Sequence, residues 1–244
     1  MTTVLKLGGS VITDKSREET VDDRSLDRVA AAIGSAADSR LVLVHGAGSF
    51  GHTHASAHNV STTNGTRDPT AIRAIHDSMQ RLNVAVLDAL AEHGVPGIPV
   101  HTLSAAVRDA GRNLTLLTAQ IETMIEEGFV PVLHGDVIAH AGSGATIVSG
   151  DELVVELATR LSATRVGLCS TVPGVLDADD AVIPEIDDYG TVADVLGESE
   201  TTDVTGGMAG KVAALLELDA DSWIFGPADV PAFLDGEPKG TVIR

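Results

Sequence analysis

The run Leu41-Val42-Leu43-Val44 leads directly into His45-Gly46-Ala47-Gly48-Ser49-Phe50-Gly51-His52. Four aliphatic residues in a row read as a buried strand. Three glycines and a serine follow, and then a histidine. An apolar run ending in a glycine turn is how an α/β sheet presents backbone N–H groups to an anion. Glycine lets the backbone come close to an oxyanion and take positive φ at little steric cost. A histidine at the end of such a loop can donate a charge-assisted hydrogen bond to phosphate. The stretch is therefore expected to hold a phosphorylated substrate.

Gly46 to Gly51 also spells G-x-G-x-x-G, the dinucleotide fingerprint. That reading requires an acidic residue about 20 positions on, ending the next strand. Here the following stretch, Ser61 to Thr70, is polar and reads as a loop. The dehydrogenase reading fails this context test.

With 244 residues the chain can form one large α/β domain or two small ones. It has no run of about 18 apolar residues, so no membrane span is expected. Met1 to Lys6 runs straight into a strand pattern without a signal peptide. The single cysteine, Cys169, excludes an internal disulfide and any multi-cysteine metal site. A cytoplasmic location fits these features. The formal charge of −19 argues against nucleic-acid binding, which needs a basic face. Because 43% of the residues are hydrophobic, the acid decorates a folded protein rather than a disordered one. Such a halophile-like acidic surface suits a salt-rich cytoplasm. Positive charge is mostly arginine, and the four lysines are Lys6, Lys15, Lys211 and Lys239. A compact ammonium is a good point charge for a phosphate chain.

Taken in order, Val4 to Leu7 reads as a buried strand with Lys6 near its end and Gly8-Gly9-Ser10 as a turn. Ser16 to Asp23 reads as a loop, and Ser25 to Ala37 as a helix. Asp68-Pro69 opens a long helix that Gly94 ends. Its stripe Ile72, Ile75, Met79, Leu82 and Val86 is core, and the N-terminal part of it is expected to line an apolar substrate pocket. Ser104 to Leu117 has no assignable pattern. Further strands are expected at Gly97 to His101, Phe129 to Leu133, Arg165 to Ser170, Ser222 to Phe225 and Gly240 to Ile243, with a hairpin around Gly142-Ser143-Gly144. Ser149-Gly150-Asp151 introduces a helix, where Asp151 is a candidate cap. A helix begins near Ala209, with Lys211 in its first turn. Strands alternate with helices, so the sheet is expected to be largely parallel and covered on both faces. Ligands of such sheets lie at the carboxyl ends of the strands. Lys6, the Gly46 to His52 loop, Asp151 and Lys211 all map there.

These segments resemble the amino acid kinase superfamily, and most closely its isopentenyl phosphate kinases. Lys6-Leu7-Gly8-Gly9-Ser10 with Asp14-Lys15 is similar to the N-terminal motif. His45 to His52 is similar to the substrate loop, including its terminal histidine. Pro131 to Asp136, Ser149-Gly150-Asp151, and Asp203 to Met208 with Lys211 follow in order. The resemblance covers nearly the whole chain. It implies an open three-layer αβα sandwich with a largely parallel central sheet, forming one domain and a homodimer. It also implies that residues 1–148 mainly bind the acceptor and 149–244 mainly bind ATP, and that the reaction makes isopentenyl diphosphate from isopentenyl phosphate with ATP and Mg²⁺.

By the same resemblance, Lys6, Lys15, His52, Asp151 and Lys211 are the catalytic set. Lys6, Gly8, Gly9, Ser10, Ala47, Thr171, Gly207 and Lys211 bind ATP. Gly46, Ala47, Gly51, His52 and Gly150 bind the acceptor. No side-chain cage for the metal is expected; Mg²⁺ is held mainly through ATP phosphates and water. The chain departs from the family at Ser170-Thr171-Val172-Pro173-Gly174-Val175, where Thr-Asp-Val-Asp-Gly-Val is usual. The alternatives are a kinase of another small phosphate or phosphonate such as fosfomycin, a nucleotide-binding regulator without catalysis, and a metal protein using His52, His54 and His58.

Overall fold

The computed structural model describes residues 1–36, 40–193, 196 and 207–244. Along these the chain forms β1 (Thr3–Leu7), α1 (Gly9–Ile12), α2 (Asp23–Ser35), β2 (Leu41–His45), α3 (Gly48–Ala57), α4 (Pro69–Glu92), β3 (Gly97–Pro99), α5 (Thr102–Ala105), β4 (Ala106–Arg108) and β5 (Leu114–Leu116). There follow α6 (Ala119–Glu126), β6 (Val130–His134), β7 (Asp136–His140), β8 (Gly144–Val148), α7 (Gly150–Arg160), β9 (Arg165–Cys169), β10 (Glu185–Ile186), α8 (Gly207–Leu215), β11 (Asp221–Phe225), α9 (Val230–Leu234) and β12 (Thr241–Ile243).

An eight-stranded sheet in the order β10-β12-β11-β9-β1-β2-β6-β3 forms the centre. All its pairings are parallel except β11 with β12. A second, four-stranded sheet runs β5-β4-β7-β8. β1, β2 and β6 are buried along their whole length, as strands covered on both faces must be. Side chains alternate between the two faces. Val4, Val42 and Val44 pack with Leu153, Val154, Leu157 and Val212 of α7 and α8. Leu5, Leu7, Leu41 and Leu43 pack instead with α2 and α4, through Leu26, Val29, Leu82 and Val86. This makes three layers. Lys6 shares the parity of Val4, so the period of the strand aims it at the α7 face.

Local signals explain the helix ends. Asp68 accepts from the Thr70 N–H at 2.9 Å, Pro69 opens α4, and Gly94 stops the chain beyond it with φ +73°. At 24 residues α4 is about 36 Å long at 1.5 Å per residue. None of the described helices is long and apolar enough to cross a membrane.

The structure differs from the sequence reading in four places. Ser104 to Leu117, unassigned from sequence, holds the end of α5 and the β4–β5 pair; elements of three or four residues are too short to show a period. The glycine loop after β2 is shorter than expected, because α3 begins at Gly48 and places Gly51 and His52 in its opening turns. Glycine is a poor helix former and masked that start. Gly9 to Ile12 likewise coils into α1 where a turn was expected. Asp151 is not the cap of α7: Ser149 Oγ accepts from the Glu152 N–H at 3.1 Å, and Glu152 returns the bond at 2.8 Å. Asp203 to Gly206 of the last motif lies outside the described residues.

Candidate active site

The carboxyl ends of β9, β1 and β2 lie side by side, and two glycine turns leave them. The Gly8 N–H donates to Cys169 O at 2.8 Å, and the Gly46 N–H to Leu7 O at 2.9 Å. The turns touch backbone to backbone. A Cβ on Gly9 would stand 2.1 Å from Gly48 N, and one on Gly46 would stand 2.6 Å from Gly9 N. No side chain fits between them, which is why both sequences read glycine. Gly48 takes φ +51°, a conformation that turns the chain into α3.

A cavity of about 740 Å³ opens at these turns. Every site residue named from the sequence lines it. β1 and the chain after it supply Lys6, Gly8, Gly9, Ser10 and Lys15; the start of α3 and the turn before it supply Gly46, Ala47, Gly51 and His52. Gly150 and Asp151 come from the first turn of α7, Thr171 from the chain after β9, and Gly207 and Lys211 from α8. Three of the four lysines of a chain with net charge −19 therefore face one cavity. The N-termini of α3 and α7 face it as well, and their helix dipoles favour an anion.

Asp151 organises the cations. Its Oδ1 accepts from Lys6 Nζ at 2.5 Å, and its Oδ2 lies 3.8 Å from Lys211 Nζ. Lys211 Nζ also donates to Gly207 O at 3.1 Å, inside its own helix. The side chains of Lys6, Asp151 and Lys211 are all largely buried. Two ammoniums gathered at one carboxylate make a cationic setting that suits a phosphate chain.

At another part of the wall the lining becomes apolar, with Ala55, Ile75, Met79, Ile147 and Val148. Ile75 and Met79 belong to the N-terminal half of the α4 stripe, as expected from sequence. Asp136, Glu18 and Thr53 also line the cavity and were missed. Asp136 was quoted as part of a motif, but nothing in its spacing showed that it faces the cavity. Its Oδ1 accepts from the Val137 N–H at 2.8 Å, and its Oδ2 bonds His76 Nδ1 at 2.7 Å. That bond, opposed by burial, raises the pKa of His76.

Behind the glycine turns lie His45 and His134, paired across β2 and β6 with ring centroids 5.4 Å apart. Each ring Nδ1 faces the carbonyl of the next residue, Gly46 or Gly135, at 3.1 Å. Nδ1 is therefore the protonated nitrogen in both, and each ring fixes the peptide plane of the glycine beside it. Burial first, and the neighbouring His134 second, push the pKa of His45 down to about 3. Burial also lowers that of His134. His54 Nε2 bonds Glu19 at 2.8 Å, and among the described residues no group of three or more His, Cys, Asp or Glu is placed to hold a metal ion.

The comparisons with known proteins agree with this geometry. Residues 1–221 match the model of the amino acid kinase family. The isopentenyl phosphate kinase of Haloferax volcanii is 62% identical over 242 residues, covering 99% of this chain and 98% of that one. The isopentenyl phosphate kinase of Methanothermobacter thermautotrophicus is 36% identical, with 98% of each chain covered. Among solved structures, an isopentenyl phosphate kinase superposes with a TM-score of 0.85 at 30% identity over the whole of both chains. An α/β sandwich with this sheet, this lysine-lined cavity and these relatives places the chain in the amino acid kinase family, alongside its isopentenyl phosphate kinases.

Proposed function

We propose that the protein transfers the γ-phosphoryl group of ATP to isopentenyl phosphate, giving isopentenyl diphosphate for isoprenoid biosynthesis. The observation that carries this reading is a single cavity that joins a cationic phosphate cradle, with His52 at its acceptor loop, to an apolar wall of Ile75 and Met79. Such a wall suits a short hydrocarbon tail on a phosphate. The 62% identical relative, an isopentenyl phosphate kinase, supports the same substrate.

In the proposed reaction a phosphate oxygen of the acceptor attacks the γ-phosphorus, the bond to the β-phosphate oxygen breaks, and ADP leaves. Such transfer depends on positioning and charge stabilisation more than on covalent chemistry. Gly8, Gly9 and Ser10, with Ala47, Thr171 and Gly207, cradle the nucleotide. Gly46, Ala47, Gly51, Gly150 and His52 hold the acceptor phosphate. Lys6 and Lys211, held by Asp151, neutralise the phosphoryl group in flight, and Lys15 acts chiefly in the transition state. A phosphate monoester is largely dianionic at pH 7, so no general base is needed and Asp151 serves as an orienter. Mg²⁺, when bound with the nucleotide through phosphate oxygens and water, would supply charge neutralisation.

In the same reading, residues 1–148 mainly serve the acceptor and residues 149–244 mainly serve ATP within a single domain. The working form is a homodimer in a salt-rich cytoplasm. Incubation with ATP, Mg²⁺ and, separately, isopentenyl phosphate, dimethylallyl phosphate, fosfomycin and N-acetylglutamate tests the function. ADP release is expected with the first two. Turnover only of fosfomycin or of the carboxylate overturns the substrate, and no turnover at all overturns the enzyme. Sedimentation at several salt concentrations tests the dimer.

A further inference from the structure

Lys15 sits on a loop that is closed at its base and tied to the neighbouring helices. At the base, Thr13 bridges Val21, and the Asp14 N–H donates to Thr20 O at 2.9 Å. Within the loop, Asp14 Oδ1 accepts from the Ser16 N–H at 2.8 Å and from Ser16 Oγ at 2.6 Å. Ser49 Oγ of α3 accepts from the Thr20 N–H and donates to Thr20 O, both at 3.3 Å, and Glu19 is the tie that reaches α4 as well as α3. Its Oε1 accepts from His54 Nε2 of α3 and from Ser78 Oγ of α4, both at 2.8 Å, and from Arg81 of α4. Its backbone N–H donates to Ser49 O of α3 at 3.1 Å.

Two features show that this tie is built rather than incidental. Ser78 is fully buried, so its hydroxyl has this carboxylate as its partner inside the protein. Glu19 itself takes φ +46°, a conformation that few residues other than glycine adopt and that surrounding contacts must hold. Burial favours the neutral carboxyl, yet the bonds from Ser78, His54 and Arg81 outweigh it and hold the Glu19 pKa below the ordinary range. The carboxylate is therefore ionised at neutral pH and receives three donors.

We infer that Glu19 is a positioning residue for phosphoryl transfer: it latches the Lys15 loop onto α3 and α4 and fixes the Lys15 ammonium at the cavity. The same latch joins Lys15 to the acceptor side, because His54 lies two residues beyond His52 on α3. The role presupposes that Lys15 acts in the transfer proposed above. No contact of Glu19 with either substrate is involved.

The test combines kinetics with proteolysis. Glu19→Ala is expected to lower kcat about tenfold or more and leave the KM for ATP within about threefold, because the lost interaction serves only the transition state. Glu19→Gln keeps the carbonyl oxygen on which the donors converge and should recover most of that rate. In a Lys15→Ala background, Glu19→Ala should cost less than about twofold more, since its effect passes through Lys15. Trypsin cleaves after Lys15 and Arg17, both within the loop, and cleavage there should accelerate about tenfold in Glu19→Ala without any substrate present. Parent turnover in a folded Glu19→Ala variant, or a full multiplicative loss on top of Lys15→Ala, overturns the inferred role. If the parent protein does not phosphorylate isopentenyl phosphate, the proposed function fails, but the protease readout still decides the latch: unchanged cleavage at Lys15 and Arg17 overturns it.

Discussion

Lys6 and Asp151 lie 145 residues apart in the chain and meet at 2.5 Å. Each is placed by a different local rule. Strand alternation turns Lys6 toward the α7 face, and the Ser149–Glu152 capping box starts α7 so that Asp151 stands in its first turn. Because Ser149 caps the helix, the Asp151 carboxylate is available to both Lys6 and Lys211. Asp151→Asn keeps the shape and removes the charge. A charge-assisted hydrogen bond is worth roughly 1.5–3 kcal/mol, so kcat/KM should fall about ten- to a hundredfold, at 1.4 kcal/mol per decade. The helix should stay intact by circular dichroism. Parent kinetics in this variant would show that the lysines do not need their orienter.

His52 should set the acceptor class. It stands in the opening turns of α3 and lines the cavity beside Gly51. A phosphate monoester brings nearly two charges at pH 7, more than the glycine N–H groups can meet, and a nearby dianion favours the imidazolium. His52→Ala should lose about ten- to a hundredfold in kcat/KM for isopentenyl phosphate, from the same charged hydrogen-bond range. His52→Gln retains a neutral donor and should lose less, while His58→Ala should be mild. Steady-state kinetics on the three variants decides, and a folded His52→Ala with parent activity removes the assignment.

Two glycines of the site should respond differently to the same methyl group. On Gly51 it would stand 2.6 Å from Met79 Sδ and 3.0 Å from Ala47 Cβ. Methionine is flexible and can move aside, but Met79 lines the cavity. Gly51→Ala should therefore raise the KM for isopentenyl phosphate severalfold and leave the KM for ATP alone. On Gly9 the methyl would meet backbone, 2.1 Å from Gly48 N and 2.6 Å from Gly48 Cα. The two turns would have to part, so Gly9→Ala should raise both KM values and lower the Tm. Equal behaviour of the two variants would contradict the packing.

What the sequence revealed depended on what signal each residue carries. The glycine turns and lysines that line the cavity were legible because glycine marks where backbone segments approach closely, and because lysine is scarce in this chain. The parallel sheet was legible from the alternation of strands with helices, and its buried strands from unbroken aliphatic runs such as Leu41 to Val44. Asp136 and Glu18 were not, because their place on the cavity wall depends on how distant segments pack and not on any local pattern. The same holds for Glu19, which read as one more acid in a polar loop; its donors come from positions 54, 78 and 81. Ser104 to Leu117 stayed opaque because its elements are shorter than any period that could announce them.

The pH dependence of stability follows from His45. Its ring is buried between Asn83, whose side chain lies 3.1 Å from Nε2, and the Gly46 carbonyl. With the proton on Nδ1, Nε2 must accept, so the Asn83 amide presents its nitrogen to the ring, an orientation that exchanges the two amide atoms. Burial chiefly, and His134 in addition, lower the folded pKa from 6.5 to about 3. A group whose pKa falls on folding gives stability that is fully present above its unfolded value and lost as the pH drops toward the folded one. For His45 that window runs from about pH 6.5 down to about 3, with a limiting slope of about 1.4 kcal/mol per pH unit. His134 is shifted the same way, again mainly by burial. His76 opposes them: its pKa is raised by Asp136, so its contribution is full below 6.5 and fades as the pH rises through the raised value. Acidification also relieves the repulsion of a chain carrying −19, which would add stability. Salt near 1 M shortens the screening length to about 3 Å and suppresses that effect. Urea midpoints in 1 M salt should therefore fall as the pH is lowered from 6.5 to 5, and the His45 ring resonances should not titrate across that interval. His45→Gln should flatten the slope. A His45 ring that titrates near 6.5, or a midpoint that rises on acidification in high salt, would show that the ring behind the glycine turn is not held neutral.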